Sequence, residues 1–135
     1  METTIERLGD GSTAIISVSG ELDASNFQNL IDVGRELQAA GAQRLVVDLA
    51  DLSYMASSGL VALYSIAVIM RGDEPPNPEE GWSAFHAIGS DSPEGRDKHV
   101  KLLAPQPQVS RVLERTGLTR FFDVYTDRDQ ALASF

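Results

Sequence analysis

The alternation of apolar and polar positions along the chain changes period several times, and each change marks an element. Residues 3–8 make a weak strand candidate. The Gly9-Asp10-Gly11 turn joins them to 13–19, TAIISVS, which alternates well enough to be the second strand of a hairpin. Gly20-Glu21-Leu22-Asp23 then breaks the strand and leads into a helix. Phe27, Leu30, Ile31, Gly34 and Leu37 share one face of that helix, Asp23 or Ser25 can cap it, and Gly41 ends it. Leu45, Val46, Val47 and Leu49 form a run of β-formers, the mark of a strand covered on both faces, with Asp48 and Asp51 punctuating its end. After a short polar turn a second helix starts at Ser57-Ser58, and from Leu60 to Met70 almost every residue is apolar.

The pattern is lost over 72–98, a stretch rich in Pro, Gly, Ser and acids with one short apolar patch from Trp82 to Ile88. It reads as an excursion from the core, with Trp82 and Phe85 as its anchor on the body or on a neighbour. Order resumes with a strand at 99–104. Pro105 and Pro107 open a helix over 108–115, with Val109, Val112 and Leu113 inward and Gly117 as its stop. A short strand at 121–125 follows, and Asp127 caps a last helix carrying Ala131 and Leu132. Strands alternating with helices predict an α/β fold in a single domain over 1–135. Its sheet is mixed but mostly parallel, with four to five strands, about four helices and an N-terminal hairpin.

Composition narrows the function. The 135 residues contain no cysteine, which excludes disulfides, thiolate metal sites and cysteine nucleophiles. A formal net charge of −9 argues against nucleic acid or an anionic membrane as partner, because both demand basic surface. The opening residues lack a basic, apolar signal peptide, and the apolar run of the second helix is too short to span a bilayer. A soluble, cytoplasmic chain without membrane insertion is expected, with a protein or a small ligand as partner.

Enzyme chemistry finds little support. His86 and His99 each lack a second ligand at metal spacing. Gly9-Asp10-Gly11 sits between antiparallel strands and not before a helix, and Ser57-Ser58-Gly59 lacks the glycine two positions before a nucleophile-elbow serine. Asp23, Asp48 and Asp51 read more simply as cap or turn residues than as a ligand site. No catalytic residue, metal or cofactor is expected. The serine pair is different, because a helix N-terminus offers unpaired N–H groups and the positive end of the dipole. A hydroxyl there can be a cap, or it can carry a phosphate, and local chemistry leaves both readings open. The second helix adds a reason to favour a contact surface. Val61, Ile66, Val68 and Ile69 lie off the stripe of Leu60, Leu63, Tyr64, Ala67 and Met70, so apolar surface is expected to need a cover from another protein.

Three pieces in this order carry a resemblance: Gly20-Glu21-Leu22-Asp23, then Asp48-Leu49 with Ser57-Ser58-Gly59-Leu60, then 112–118 (VLERTGL) with Phe121-Phe122. The chain resembles a STAS domain, the fold of bacterial anti-sigma factor antagonists, over nearly its whole length outside the excursion. The resemblance implies that the unmodified protein binds an anti-sigma factor, which then releases its sigma factor. It implies further that this partner is a serine kinase of the histidine-kinase-like ATPase type and that a metal-dependent phosphatase reverses the modification. The phosphoacceptor it implies is Ser57, with Ser58 the alternative. The contact surface it implies takes in Glu21, Asp23, Ala56, Ser57, Ser58, Gly59, Leu60 and Val61. Phosphorylated members usually carry an acid immediately before the serine pair, where this chain has Ala56.

Overall fold

The computed structural model describes residues 1–73 and 97–135. Expectations about the rest of the excursion, including Trp82, Phe85 and His86, fall outside the described residues. Among those described, five strands form one sheet in the order β1-β2-β3-β4-β5: β1 (Glu2–Leu8), β2 (Thr13–Leu22), β3 (Arg44–Met55), β4 (Val100–Leu103) and β5 (Asp123–Tyr125). β1 and β2 are the antiparallel hairpin, and every later pair is parallel. Five helices go with them: α1 (Phe27–Ala39), α2 (Ser57–Met70), α3 (Pro107–Arg115), α4 (Leu118–Phe121) and α5 (Arg128–Ala133). No helix among the described residues is long and apolar enough to cross a membrane.

Sequential parallel strands added on one side, with right-handed crossovers, send every connecting helix to the same face. The packing follows this rule. Ala14, Ile16 and Val18 of β2, Leu45 and Val47 of β3, and Val100 and Leu102 of β4 form one core with α1 to α4. The opposite face is covered only in part, where α5 and the chain end bring Ala131, Leu132 and Phe135 onto Ile15, Val46 and Leu103. The first half of β3 is therefore covered on both faces, as its unbroken apolar run predicts.

β2 and β3 both run beyond their expected ends. β2 does not break at Gly20 but continues to Leu22, and β3 passes Asp51 to reach Met55. The reason is two irregularities in the β2–β3 ladder, between Ser17 and Ser19 and between Gly20 and Glu21, where β3 holds one extra residue each time. Each extra residue resets the alternation, so that Leu49, Leu52 and Met55, spaced by three, all point inward and are buried. The expected polar turn is strand instead. Phe121 likewise leaves its expected strand: Gly117, in the left-handed region at φ 82°, restarts a helical turn that ends at Phe121.

Candidate functional site

β2 and β3 finish together. Glu21 stands beside Tyr54 and Leu22 beside Met55 in the ladder, and the Ala56 N–H donates to the Leu22 carbonyl at 2.9 Å. The chain passes from strand to helix through one extended residue, Ala56, which is the N-cap residue of α2 and has no side chain to cap with. Ser57 and Ser58 are thus the first two residues of the helix, and the reading of either as its cap fails. Gly59 is required by close approach. A Cβ there would lie 2.5 Å from Met55 Cγ and 3.0 Å from Leu22 side-chain carbons, so only glycine lets the first turn of α2 sit on the strand ends.

The 20–23 segment is tied to the start of α1. Asn26 donates from Nδ2 to the Glu21 carbonyl and accepts the Asp23 N–H at Oδ1, both at 2.9 Å. Asp23 accepts the Ser25 N–H at 2.9 Å and the Ser25 hydroxyl at 2.5 Å. These Ser25 bonds, the hydroxyl first, hold the Asp23 carboxyl below its ordinary value. Asn26 holds the N-cap position of α1 but makes no side-chain capping bond; the Asp23 carbonyl accepts the Phe27 N–H at 2.9 Å, and neither the Asp23 nor the Ser25 side chain caps the helix. Those two shape the turn before it.

Exposure separates the implied contact residues. Glu21 and Ser57 are exposed, Asp23 and Ala56 are half-buried, and Gly59, Leu60 and Val61 are buried. The two serines differ as well. The Ser58 hydroxyl is buried and finds no hydrogen-bond partner among the described residues, whereas Ser57 stands open to solvent. Every residue from Gly59 to Met70 is buried, which corrects the expectation of a bare apolar side on α2. Val61 is 7% exposed and Ile66 is fully covered. The cause is position. α2 packs against α1, where a Cβ on Gly34 would meet Ile66 Cγ1 at 2.9 Å, and Tyr64 packs on Phe121 of α4 with ring centroids 5.6 Å apart. Its all-round apolarity serves the domain's own core.

The remaining acids do not converge on a metal-like site. Among the described residues no group of three or more His, Asp or Glu could hold a metal ion. Asp48 accepts the Ala50 N–H at 3.0 Å. The Nδ1 of His99 lies 3.3 Å from the Gln43 carbonyl oxygen. One ion pair went unread in the sequence: buried Lys101 and half-buried Asp123, 2.9 Å apart, with Lys101 Nζ 5.7 Å from the Phe135 ring centroid.

Comparison with known proteins then fixes the family. A family model described as "Mlab, STAS domain" matches residues 7–74, from the hairpin through α2. The chain belongs to the STAS domain family. Solved structures agree on the fold of this STAS domain. An anti-sigma factor antagonist from Mycobacterium paratuberculosis superposes with a TM-score of 0.66 at 24% identity, over 98% of this chain and 92% of that one. The anti-sigma factor antagonist SpoIIAA in its unphosphorylated form gives 0.61 at 20% identity, over 97% and 93%. The Bacillus cell fate determinant SpoIIAA in its phosphorylated form gives 0.57 at 16%, over 98% and 97%. A search of the curated proteins finds no match.

Proposed function

We propose that this STAS domain is an anti-sigma factor antagonist whose unmodified form binds an anti-sigma factor and so frees a sigma factor. The anti-sigma factor acts as a serine kinase that weakens the contact by phosphorylating Ser57, and a metal-dependent serine phosphatase restores it. The observation that carries this reading is the contrast within the serine pair: Ser57 is exposed on the first turn of α2, while the Ser58 hydroxyl is buried. A kinase must reach its acceptor oxygen, and of the two serines Ser57 offers one.

The local physics suits a switch without a change of fold. A phosphate adds about −1.5 to −2 charges and three acceptor oxygens. At the first position of α2 the unpaired N–H groups and the dipole favour it by roughly 0.3–1 kcal/mol. Against a bound partner the same charge sits beside Glu21 and Asp23, and burying it unpaired costs several kcal/mol. A loss of about 3–4 kcal/mol weakens binding a few-hundred-fold. The contact surface in this reading is Glu21, Asp23, Ala56 and Ser57, with Ser58, Gly59, Leu60 and Val61 supporting it from beneath. The test is the affinity of the anti-sigma factor for Ser57→Ala and Ser57→Asp. Alanine should bind as the wild type does and aspartate far more weakly; equal affinity of two folded variants would refute the switch.

Ala56 favours a second reading, in which the domain is a non-phosphorylated scaffold or a ligand- or nucleotide-sensing module in a stress-signalling or transporter complex. Phosphorylated relatives usually place an acid at that position. Intact-mass measurement after incubation with the candidate kinase and ATP separates the two. A phosphate-sized gain that Ser57→Ala abolishes supports the switch, and no gain supports the scaffold.

A further inference from the structure

The ladder registers assign side chains to the face of the sheet that lacks helices α1 to α4. Partnered residues share a face, so Ser17 with Asp48, Ser19 with Asp51 and Glu21 with Tyr54 lie on the same side as Ile15 and Val46. Glu2 stands beside Ser19 on that side too. The end of this face near Ile15 is closed by α5 and Phe135. Arg128 pairs there with Glu6. The other end, toward the close of β2 and β3, holds Glu2, Glu21 and Asp51, all exposed, the half-buried Asp48, and Tyr54 with 51% of its surface open. Lys101 and Arg128, the cations that the ion pairs place on this face, are each engaged with a carboxylate.

We propose that this end of the sheet is a second docking surface, taken by an arginine-rich segment of a protein partner, with Tyr54 as its anchor. A half-open tyrosine brings large contact area with only two side-chain torsions to fix, and its ring accepts a guanidinium. The flanking carboxylates supply charge-assisted hydrogen bonds to the same group. The net charge of −9 and the local acids repel nucleic acid and anionic lipid, which leaves a cationic protein surface as the complement. The surface shares Glu21 with the contact proposed above, but Ser19, Asp51 and Tyr54 lie on the far side of the sheet from α2, so its occupancy should depend little on the charge on Ser57, and it goes beyond that switch.

The test is a titration of the isotope-labelled full chain with a ten-residue peptide alternating Arg and Ser, read by amide chemical shifts. The shifts should concentrate on Ser19, Glu21, Asp51 and Tyr54. Affinity should fall at least tenfold in Tyr54→Ser/Asp51→Asn. It should change less than twofold in Asp32→Asn, a charge-matched control on the exposed side of α1. Ser57→Asp should bind the peptide as the wild type does, whatever it does to the anti-sigma factor. Equal losses in the test variant and the control would mean diffuse attraction and overturn the proposal. The same amides shifting at submillimolar magnesium chloride would make this a cation site and overturn it, and so would loss of peptide binding in Ser57→Asp.

Discussion

The two halves of β3 bury the same kind of side chain inward and present opposite kinds outward. From Leu45 to Asp48 the strand is paired on both edges, and Val46 is as fully covered on one face as Leu45 and Val47 are on the other. From Leu49 to Met55 β2 alone of the described strands continues beside it, because β4 stops at Leu103, opposite Asp48. Gln106 and Gln108 patch the bare edge, donating to the Ala50 and Ser53 carbonyls at 2.8 Å. Here Leu49, Leu52 and Met55 still reach the core, but Asp51 and Tyr54 face solvent. The first half fixes the sheet, and the second carries a surface. Both contact surfaces proposed above draw on the part of the sheet that overhangs its last neighbour.

The sharpest way to break that comparison is one charge in each half. Val46→Asp places a carboxylate where both faces are covered and should cost about 3–5 kcal/mol, or prevent folding. Tyr54→Asp should stay within about 0.5 kcal/mol of the wild type, because its side chain already meets water. Urea unfolding of both variants measures the difference, and similar losses would show that the overhang is structural too. Leu52→Ala comes next. With Leu52 fully buried, truncation should cost about 2–5 kcal/mol. A loss near zero would mean that this stretch is the polar turn its composition suggests.

That stretch also shows where the sequence stops speaking. The run 44–49 declares itself by periodicity, and so do the faces of α1 and α3. A spacing of three at Leu49, Leu52 and Met55 fits no strand until two bulges are known, and a bulge leaves no mark in composition. Choosing among Asp23, Ser25 and Asn26 as a cap, or between Ser57 and Ser58 as the open hydroxyl, depends on backbone angles and packing that residue type does not encode. The apolar girth of α2 was legible, but its meaning was not: a helix enclosed by its own domain and one awaiting a partner carry the same letters. Lys101 and Asp123 lie 22 positions apart and meet only through the β4–β5 register. The family motif itself was readable because its pieces stand in order along the chain.

A smaller effect tests how closely the overhang is fitted to α2. Gly59→Ala adds a methyl 2.5 Å from Met55 Cγ and should destabilise by about 1–3 kcal/mol. Met55→Ala removes the atom it meets. The double variant should therefore lose less than the sum of the two single losses, and strict additivity would show that the methyl is accommodated elsewhere.

The smallest effect concerns acid. Ser25 lowers the Asp23 carboxyl below its ordinary value of 3.8, as Ser12 lowers that of Asp10 in the hairpin turn. A carboxyl with a depressed folded pKa binds fewer protons in the folded state than in the unfolded one. Its contribution is therefore complete above the ordinary value and is lost as pH falls through the folded one. Unfolding free energies measured from pH ~5 down to pH ~2 should fall with pH in the wild type, and less steeply in Asp23→Asn. Asp10→Asn should flatten the curve through an independent site, since the two turns share no residues and their effects should add. Because both carboxyls lie at the surface, 0.5 M salt should leave most of the Asp23 effect in place only if the short Ser25 bonds, and not long-range charge, produce it. If salt removes the effect, the segment beside Ser57 is held by diffuse electrostatics, and the contact surface built on it is looser than its hydrogen bonds imply.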